Sequence, residues 1–219
     1  MEKIEINRLL PLVFKGMEDT ERIRASQIWE QPSFVFEKGC KICIQAESGW
    51  GKSSLLSFIY GNRGDYSGSI AFDSVDIRAL GVKRWCEIRT SSIALLPQEM
   101  RLFPELTVIQ NISVKNDLTG HKTPAEIDDL LHRLGIADKK EAMARNLSIG
   151  QQQRVAIVRA VCQPFDFIFL DEPVSHLDEA NNRIVAQIVE EEAERQSAGI
   201  VSTSVGNHLL LSNPKFVSL

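Results

Sequence analysis

Short apolar runs of strand length recur along the first hundred residues, and glycines or charged residues separate them. These runs predict β-strands at 4–13, 33–37, 41–45, 68–73 and 93–96. The charged segment 15–24 predicts a surface loop or a hairpin tip instead. The run from Ser53 to Tyr60 has helical length and ends at Gly61, so a helix is expected there.

The pattern changes after about residue 100, where strand signals disappear as far as about residue 146. Helical patterns dominate this region, as in 124–131, which follows the good N-cap Thr123. Further predicted elements are helices at 150–161 and 179–196 and strands at 165–170, 199–203 and 215–219. The mostly apolar run 165–170 suits the middle of a parallel sheet. The order of elements therefore predicts an α/β core with a helical insertion.

A glycine-rich segment joins the predicted strand 41–45 to the helix that follows, which is the context of a phosphate-binding loop. Gly49 and Gly51 let backbone N–H groups approach phosphate oxygens, and the helix turns its positive end toward the same anion. Lys52 would supply positive charge, and Ser53 would ligate Mg²⁺. The predicted nucleotide-binding residues of this loop are Glu47, Ser48, Gly49, Trp50, Gly51, Lys52, Ser53 and Ser54.

Two acidic residues follow the apolar run 165–170, at the edge of the sheet where open α/β folds bind ligands. We expect Asp171 to hold Mg²⁺ through water. Glu172 is predicted to orient and polarise the attacking water, since phosphoryl transfer depends on positioning and charge neutralisation. Many strands end in acids, so this pattern is informative only because a phosphate loop precedes it.

Length, charge and hydrophobicity exclude some classes of function. The chain has 219 residues, enough for one ordinary domain, and its net charge of −4 gives no support for a nucleic-acid partner. It contains no apolar run of the roughly 18 residues that span a bilayer, and its N-terminus lacks the apolar core of a signal peptide. A cytosolic protein is expected, unless a partner holds it to a membrane.

Cys40 and Cys43 are predicted to pack in the interior and not to bind a metal ion. Residues three apart on a strand point to opposite faces, so their two thiols could not easily reach one metal.

Several motifs together resemble the nucleotide-binding subunit of ABC transporters. The segment 147–151, LSIGQ, resembles the family signature LSGGQ, and 171–178, DEPVSHLD, is similar to DEPTSALD. The stretch 102–112 resembles the region after the family's Q-loop, whose glutamine is Gln98 here. The resemblance covers nearly the whole chain. It implies a single ABC-type domain over 1–219: a P-loop NTPase core with a mainly parallel sheet, an N-terminal antiparallel β subdomain and an α-helical subdomain inserted at roughly 100–155.

The resemblance also implies a mechanism. Two such domains would pair head to tail, as a homodimer or a mixed dimer, with two ATP molecules between them. Ser148, Gly150 and Gln151 would then belong to the partner's nucleotide site, although an ordinary helix start is the alternative reading of this segment. Asp178 would organise the interface, and Gln98 would contact Mg²⁺ and water. Hydrolysis of ATP would power a separate membrane-spanning transporter subunit, with this chain on the cytoplasmic face of the membrane.

An aromatic ring upstream of the phosphate loop stacks on adenine in this family. Phe14 is the preferred residue here, and Trp29 is the alternative, closer to the expected spacing. Base–aromatic stacking accepts any ring.

Departures from the family pattern limit the expected activity. Ala46 and Ile149 replace glycines, Trp50 stands where a small residue is usual, and Ser204 occupies the position of a histidine that contacts the γ-phosphate. His208 is an alternative to Ser204 if the loop is shifted. A serine is shorter and uncharged, so we expect ATP binding to be intact and hydrolysis to be slow. Two other functions remain open: a non-transport ABC-family ATPase with a membrane partner, and the regulatory half of a mixed dimer.

Overall fold

The computed structural model describes residues 1–219 as two β-sheets and seven α-helices. The strands are β1 (Lys3–Pro11), β2 (Phe34–Glu37), β3 (Lys41–Gln45), β4 (Tyr66–Phe72), β5 (Val75–Asp76), β6 (Ile93–Leu96), β7 (Phe167–Leu170), β8 (Gly199–Ser204) and β9 (Lys215–Ser218). The helices are α1 (Glu21–Ala25), α2 (Lys52–Ile59), α3 (Val82–Ser91), α4 (Val108–Asn116), α5 (Pro124–Arg133), α6 (Ile149–Val161) and α7 (Glu179–Gln196).

The N-terminal strands form an antiparallel sheet in the order β2-β1-β4-β5. In its centre Ile4 pairs with Phe36 on one side and with Phe72 on the other. Apolar residues alternate with polar ones along β1, and Ile4 and Ile6 are fully buried. The alternation is that of a sheet with one face against the core.

The second sheet is parallel, in the order β6-β7-β8-β3-β9. Both faces of the interior strand β7 are covered, which is why this strand is apolar at every position. Because the strands are parallel, their carboxyl ends meet at one edge of the sheet. The segments beginning with Ala46, Pro97 and Asp171 leave the sheet at this edge.

The helices α4, α5 and α6 lie between β6 and β7 in the chain and form the helical insertion. Each begins at a capping box, in which a serine or threonine and the third helical residue bond to each other's backbone. The insertion and the two sheets confirm the predicted fold class.

Two segments differ from the sequence-based expectations. In the segment 15–24, predicted to be a surface loop or a hairpin tip, residues 15–20 form an exposed loop and α1 begins at Glu21. Helix α3 was not expected, because its sequence is mostly polar. Cys40 precedes β3 while Cys43 is buried within it. No helix is both long and apolar enough to cross a membrane.

Candidate functional site

A pocket opens at the carboxyl edge of the parallel sheet, between the end of β1 and the loop that follows β3. The residues that line it are Pro11, Val13, Phe14, Ser48, Gly49, Gly51, Lys52, Ser53, Ser54, Gln98 and Glu172. Most of the predicted phosphate-loop residues are therefore in its wall, together with Gln98 and Glu172 from two other loops.

The backbone of the phosphate loop depends on its glycines. Gly49 and Gly51 have φ of 85° and 89°, in the left-handed region that glycine adopts without strain. A Cβ on Gly51 would also lie 3.0 Å from Cζ2 of Trp29. Helix α2 begins directly after Gly51, so the first N–H groups of the helix face the pocket side of the loop. This combination of loop and helix start is suited to binding an anion.

The amine of Lys52 lies between the loop and the acidic strand end. Only 4% of the side chain is exposed. Its Nζ donates to the carbonyl oxygens of Ala46 and Glu47 at 3.0 and 3.1 Å, and lies 3.5 Å from Oε1 of Glu172. A buried cation so close to a carboxylate can neutralise the charge of a phosphate that enters the pocket.

The acidic pair is held by the neighbouring strand β8. Thr203 Oγ1 donates to Asp171 Oδ1 at 2.6 Å and accepts the backbone N–H of Glu172 at 3.0 Å. Glu172 has a left-handed backbone, with φ of 49°, which is uncommon for a residue other than glycine. Gln98 Nε2 donates to Glu172 Oε2 at 3.4 Å.

The predicted metal ligands offer a hydroxyl, an amide and a carboxylate. Ser53 and Gln98 line the pocket, whereas Asp171 is outside its wall, with 4% of its surface exposed. Oxygen donors of this kind suit Mg²⁺, which usually keeps several waters and takes few protein ligands. The residues present therefore fit a magnesium ion bound together with a phosphate.

The signature residues lie outside this pocket. Ser148 is the N-cap of α6, and its hydroxyl accepts from the backbone N–H of Gln151 at 3.3 Å while Gln151 Oε1 accepts from that of Ser148 at 2.9 Å. A Cβ on Gly150 would lie 3.1 Å from the carbonyl oxygen of His176. Asp178 also lies outside the pocket and caps α7, and hydrogen bonds from Asn181 hold the pKa of its carboxyl below the usual value.

The two aromatic residues considered for adenine have different positions. Phe14 lines the pocket with 9% of its surface exposed, and its ring stacks on that of Trp50 at a centroid distance of 5.7 Å. Trp29 is fully buried, and its Nε1 donates to the carbonyl oxygen of Trp50. The alternative that Trp29 stacks on adenine is wrong, because no face of its ring is accessible. The ring of Trp50 points away from the pocket, beneath the guanidinium of Arg22.

Neither Ser204 nor His208 lines the pocket. Ser204 is 1% exposed and its Oγ lies 3.7 Å from Sγ of Cys43, on the face of β8 opposite to Thr203. The expectation that Ser204 faces the γ-phosphate is therefore corrected, since side chains alternate along a strand. The ring of His208 packs edge-on against Phe216 instead. No histidine contributes to the pocket wall.

Sequence reasoning missed two residues that support the acidic strand end. One is Thr203, which lies beside Asp171 because β7 and β8 are adjacent parallel strands, and the sequence alone does not give their alignment. The other is Gln153, 2% exposed, whose Nε2 donates to the carbonyl oxygen of Glu172 and whose Oε1 accepts from the backbone of His176. A buried glutamine in an apolar helix face is the signal that could have identified it.

Comparison with known proteins identifies the family. The ABC transporter family profile matches residues 29–175, more than half of the chain. An uncharacterized ABC transporter ATP-binding protein of Mycobacterium tuberculosis, MT0079, is 33% identical over 168 residues, which are 75% of this chain and 51% of the relative. The methionine import ATP-binding protein MetN of Vibrio vulnificus is 30% identical over 191 residues, 86% of this chain and 54% of the relative.

The fold is also that of solved cassettes. The dimeric structure of MJ0796, a bacterial ABC transporter cassette, superposes with a TM-score of 0.73 at 23% identity, over 92% of this chain and 87% of the cassette. The chain spans about half the length of the curated relatives described above. Given the family profile and the shared fold, the chain belongs to the ABC transporter family.

Proposed function

We propose that this chain binds ATP with Mg²⁺ and hydrolyses it slowly, as the energy-supplying subunit of a membrane transporter. The observation that carries the proposal is the meeting of Lys52, Gln98 and Glu172 in one pocket beside the phosphate loop. Each comes from a different loop at the carboxyl edge of the parallel sheet. ATP bound with Mg²⁺ and an attacking water would use all of these groups at once, Lys52 on phosphate, Gln98 on the metal and Glu172 on the water.

In this proposal, the loop amides and Lys52 bind the phosphates of ATP. Ser53, Gln98 and Asp171 hold Mg²⁺, which when bound neutralises charge on the phosphate oxygens. Glu172 accepts a hydrogen bond from the attacking water and orients it toward the terminal phosphorus. Thr203 and Gln153 keep the backbone of Glu172 in its left-handed conformation, so that the carboxylate points into the pocket.

Hydrolysis is proposed to be slow because the pocket contains no histidine and Ser204 faces Cys43. A further positive donor near the terminal phosphate would stabilise the charge that develops in the transition state. Lys52 alone provides a side-chain cation in the pocket wall. The retained Glu172 argues for a slow enzyme rather than an inactive one.

We further propose that ATP drives the pairing of two such domains. Ser148, Gly150 and Gln151 lie outside the pocket of their own chain, and the neighbouring Ile149 is 49% exposed. An exposed apolar residue at the start of a helix supports contact with another chain. The partner is a second nucleotide-binding domain, either a copy of this chain or a related subunit.

The proposed membrane partner would bind beside Gln98. A groove here includes Phe103 and Val114, which are 50% and 41% exposed, and Arg101. Apolar surface of this kind supports a protein contact. The name of the methionine import relative supports coupling to transport. We propose that the chain acts at the cytoplasmic face of the membrane. The experiment that tests the core of the proposal is ATP binding and hydrolysis by the purified chain, compared with Lys52→Ala and Glu172→Gln variants.

A further inference from the structure

Arg159 lies in the last turn of α6 and contacts the loop that carries Gln98. Its Nη1 donates to the carbonyl oxygen of Arg101 at 2.9 Å, and its Nη2 donates to that of Met100. These two residues follow Gln98 at a distance of only two and three positions. One planar guanidinium therefore holds the backbone directly beyond Gln98.

The segment that Arg159 holds has an unusual backbone. Met100 and Arg101 have φ of 58° and 48°, so two consecutive residues other than glycine are left-handed. Such a conformation is strained for residues other than glycine and persists only where surrounding contacts enforce it. Besides the two hydrogen bonds from Arg159, the buried side chain of Met100 anchors the turn.

The charge of Arg159 has no acidic partner. Its hydrogen bonds go only to backbone oxygens, and burial lowers the pKa of its guanidinium. Lys115 lies nearby, where burial and then the charges of Arg159 and Arg89 lower the pKa of its amine. Arg159 and Lys115 are each only partly exposed, and holding an unpaired cation beside other cations away from water is unfavourable. The hydrogen bonds to the two carbonyl oxygens account for an arginine at this position.

Helix α6 connects this contact to the signature segment. The helix begins at Ser148 and ends two residues after Arg159, so a single rigid element joins the signature to the Gln98 loop. We propose that Arg159 is a positioning residue, which fixes Gln98 in the nucleotide site and ties its place to that of α6. The inference rests on the proposed function, because it assigns Arg159 a role in placing a Mg²⁺ ligand.

Hydrogen exchange of the nucleotide-free protein tests the holding of the loop without any need for hydrolysis. The backbone N–H of Met100 donates to Pro97 and is protected only while the turn is closed. Because Arg159→Met removes both hydrogen bonds that hold the turn, exchange in 98–102 should accelerate about tenfold or more. Arg159→Lys keeps the charge but loses the paired N–H donors of the guanidinium, so its exchange rate should lie between those of the wild type and Arg159→Met. The control Arg133→Met removes an arginine paired with Glu191 and should leave this segment unchanged.

A double-mutant cycle separates positioning from general structural support. If Arg159 acts through Gln98, Arg159→Met and Gln98→Ala should each raise the Mg²⁺ concentration for half-maximal hydrolysis severalfold. The double variant should then need no more Mg²⁺ than Gln98→Ala alone. Effects that multiply would overturn the proposal, as would unchanged exchange in Arg159→Met. A wild-type chain without ATPase activity would refute the proposed function instead. In that case two measurements would decide the role of Arg159. One is hydrogen exchange, and the other is the same double-mutant cycle applied to Mg²⁺-dependent ATP binding.

Discussion

Thr203 Oγ1 lies 2.6 Å from Asp171 Oδ1 and donates a hydrogen bond to it, while the same hydroxyl accepts the backbone N–H of Glu172. One buried hydroxyl thus contacts both residues of the acidic strand end. The contact crosses from β8 to the end of β7, so the alignment of two parallel strands sets the position of the proposed water-orienting carboxylate.

Thr203→Val should impair hydrolysis more than folding. Valine has nearly the same shape but neither donates to Asp171 nor accepts from Glu172, so the carboxylates lose their alignment. We expect the maximal ATPase rate to fall about 10–100-fold, the usual effect of removing a support behind a metal site. Thr203→Ser keeps the hydroxyl and should retain most activity. Equal rates in the valine and serine variants would show that this hydroxyl is not needed.

Lys52→Ala should remove most ATP binding. The amine is the one side-chain cation in the pocket wall, and it lies within reach of both the loop carbonyls and Glu172. Because charge-assisted contacts to phosphate are strong, we expect affinity to fall at least about tenfold. Calorimetry with ATP and Mg²⁺ measures this, and Lys83→Ala on the polar helix α3 is a control outside the pocket. Tight ATP binding by Lys52→Ala would place the nucleotide elsewhere.

Phe14→Ala should weaken nucleotide binding without preference for one base. Its ring forms part of the pocket wall, and loss of one base–aromatic stack costs about 1–3 kcal/mol, or roughly 5–150-fold in affinity. ATP and GTP should be affected alike, because any base can stack. Leu12→Ala, at a half-exposed position outside the pocket, is the matched control. If Phe14→Ala binds ATP as well as the wild type, Phe14 does not stack on the base.

The four cysteines should differ sharply in reactivity. Burial raises the pKa of Cys40 to about 11 and that of Cys162 to about 12, and burial likewise raises the pKa of Cys43. Cys86 alone is exposed. Since the thiolate is the reactive form, a disulfide reagent at pH 8 should modify Cys86 quickly and the others only after unfolding. Rapid modification of Cys40 and Cys43 together would contradict the packing role given to them.

The sequence was sufficient for those parts of the site that lie within one loop. The glycines and Lys52 follow a predicted strand and open a helix, so local patterns carry their roles. The direction of the Ser204 side chain depends on which strands flank β8, and the burial of Trp29 depends on what packs over the phosphate loop. Local sequence patterns do not show either of these long-range contacts. Thr203 was missed for the same reason, because its importance comes from the register between β7 and β8.

The helix α3 illustrates a different limit. Its residues are mostly polar and only Ile88 is buried, so the apolar periodicity that identifies a surface helix is weak. The adjacent Gly61 explains part of its packing, since a Cβ there would lie 2.5 Å from the ring of Trp85. A contact between residues this far apart in the chain has no signature in either segment alone.

ATP hydrolysis by this chain is proposed to depend on Glu172 and to be slow because the pocket wall contains no histidine. The direct measurement is release of phosphate from ATP by purified wild-type and Glu172→Gln proteins, with ATP binding measured in parallel. We predict that both proteins bind ATP, that the wild type turns over below about 1 s⁻¹, the lower end of the usual range for enzymes, and that the variant is at least about 100-fold slower. Brisk hydrolysis by the wild type, or equal rates in the two proteins, would contradict the account.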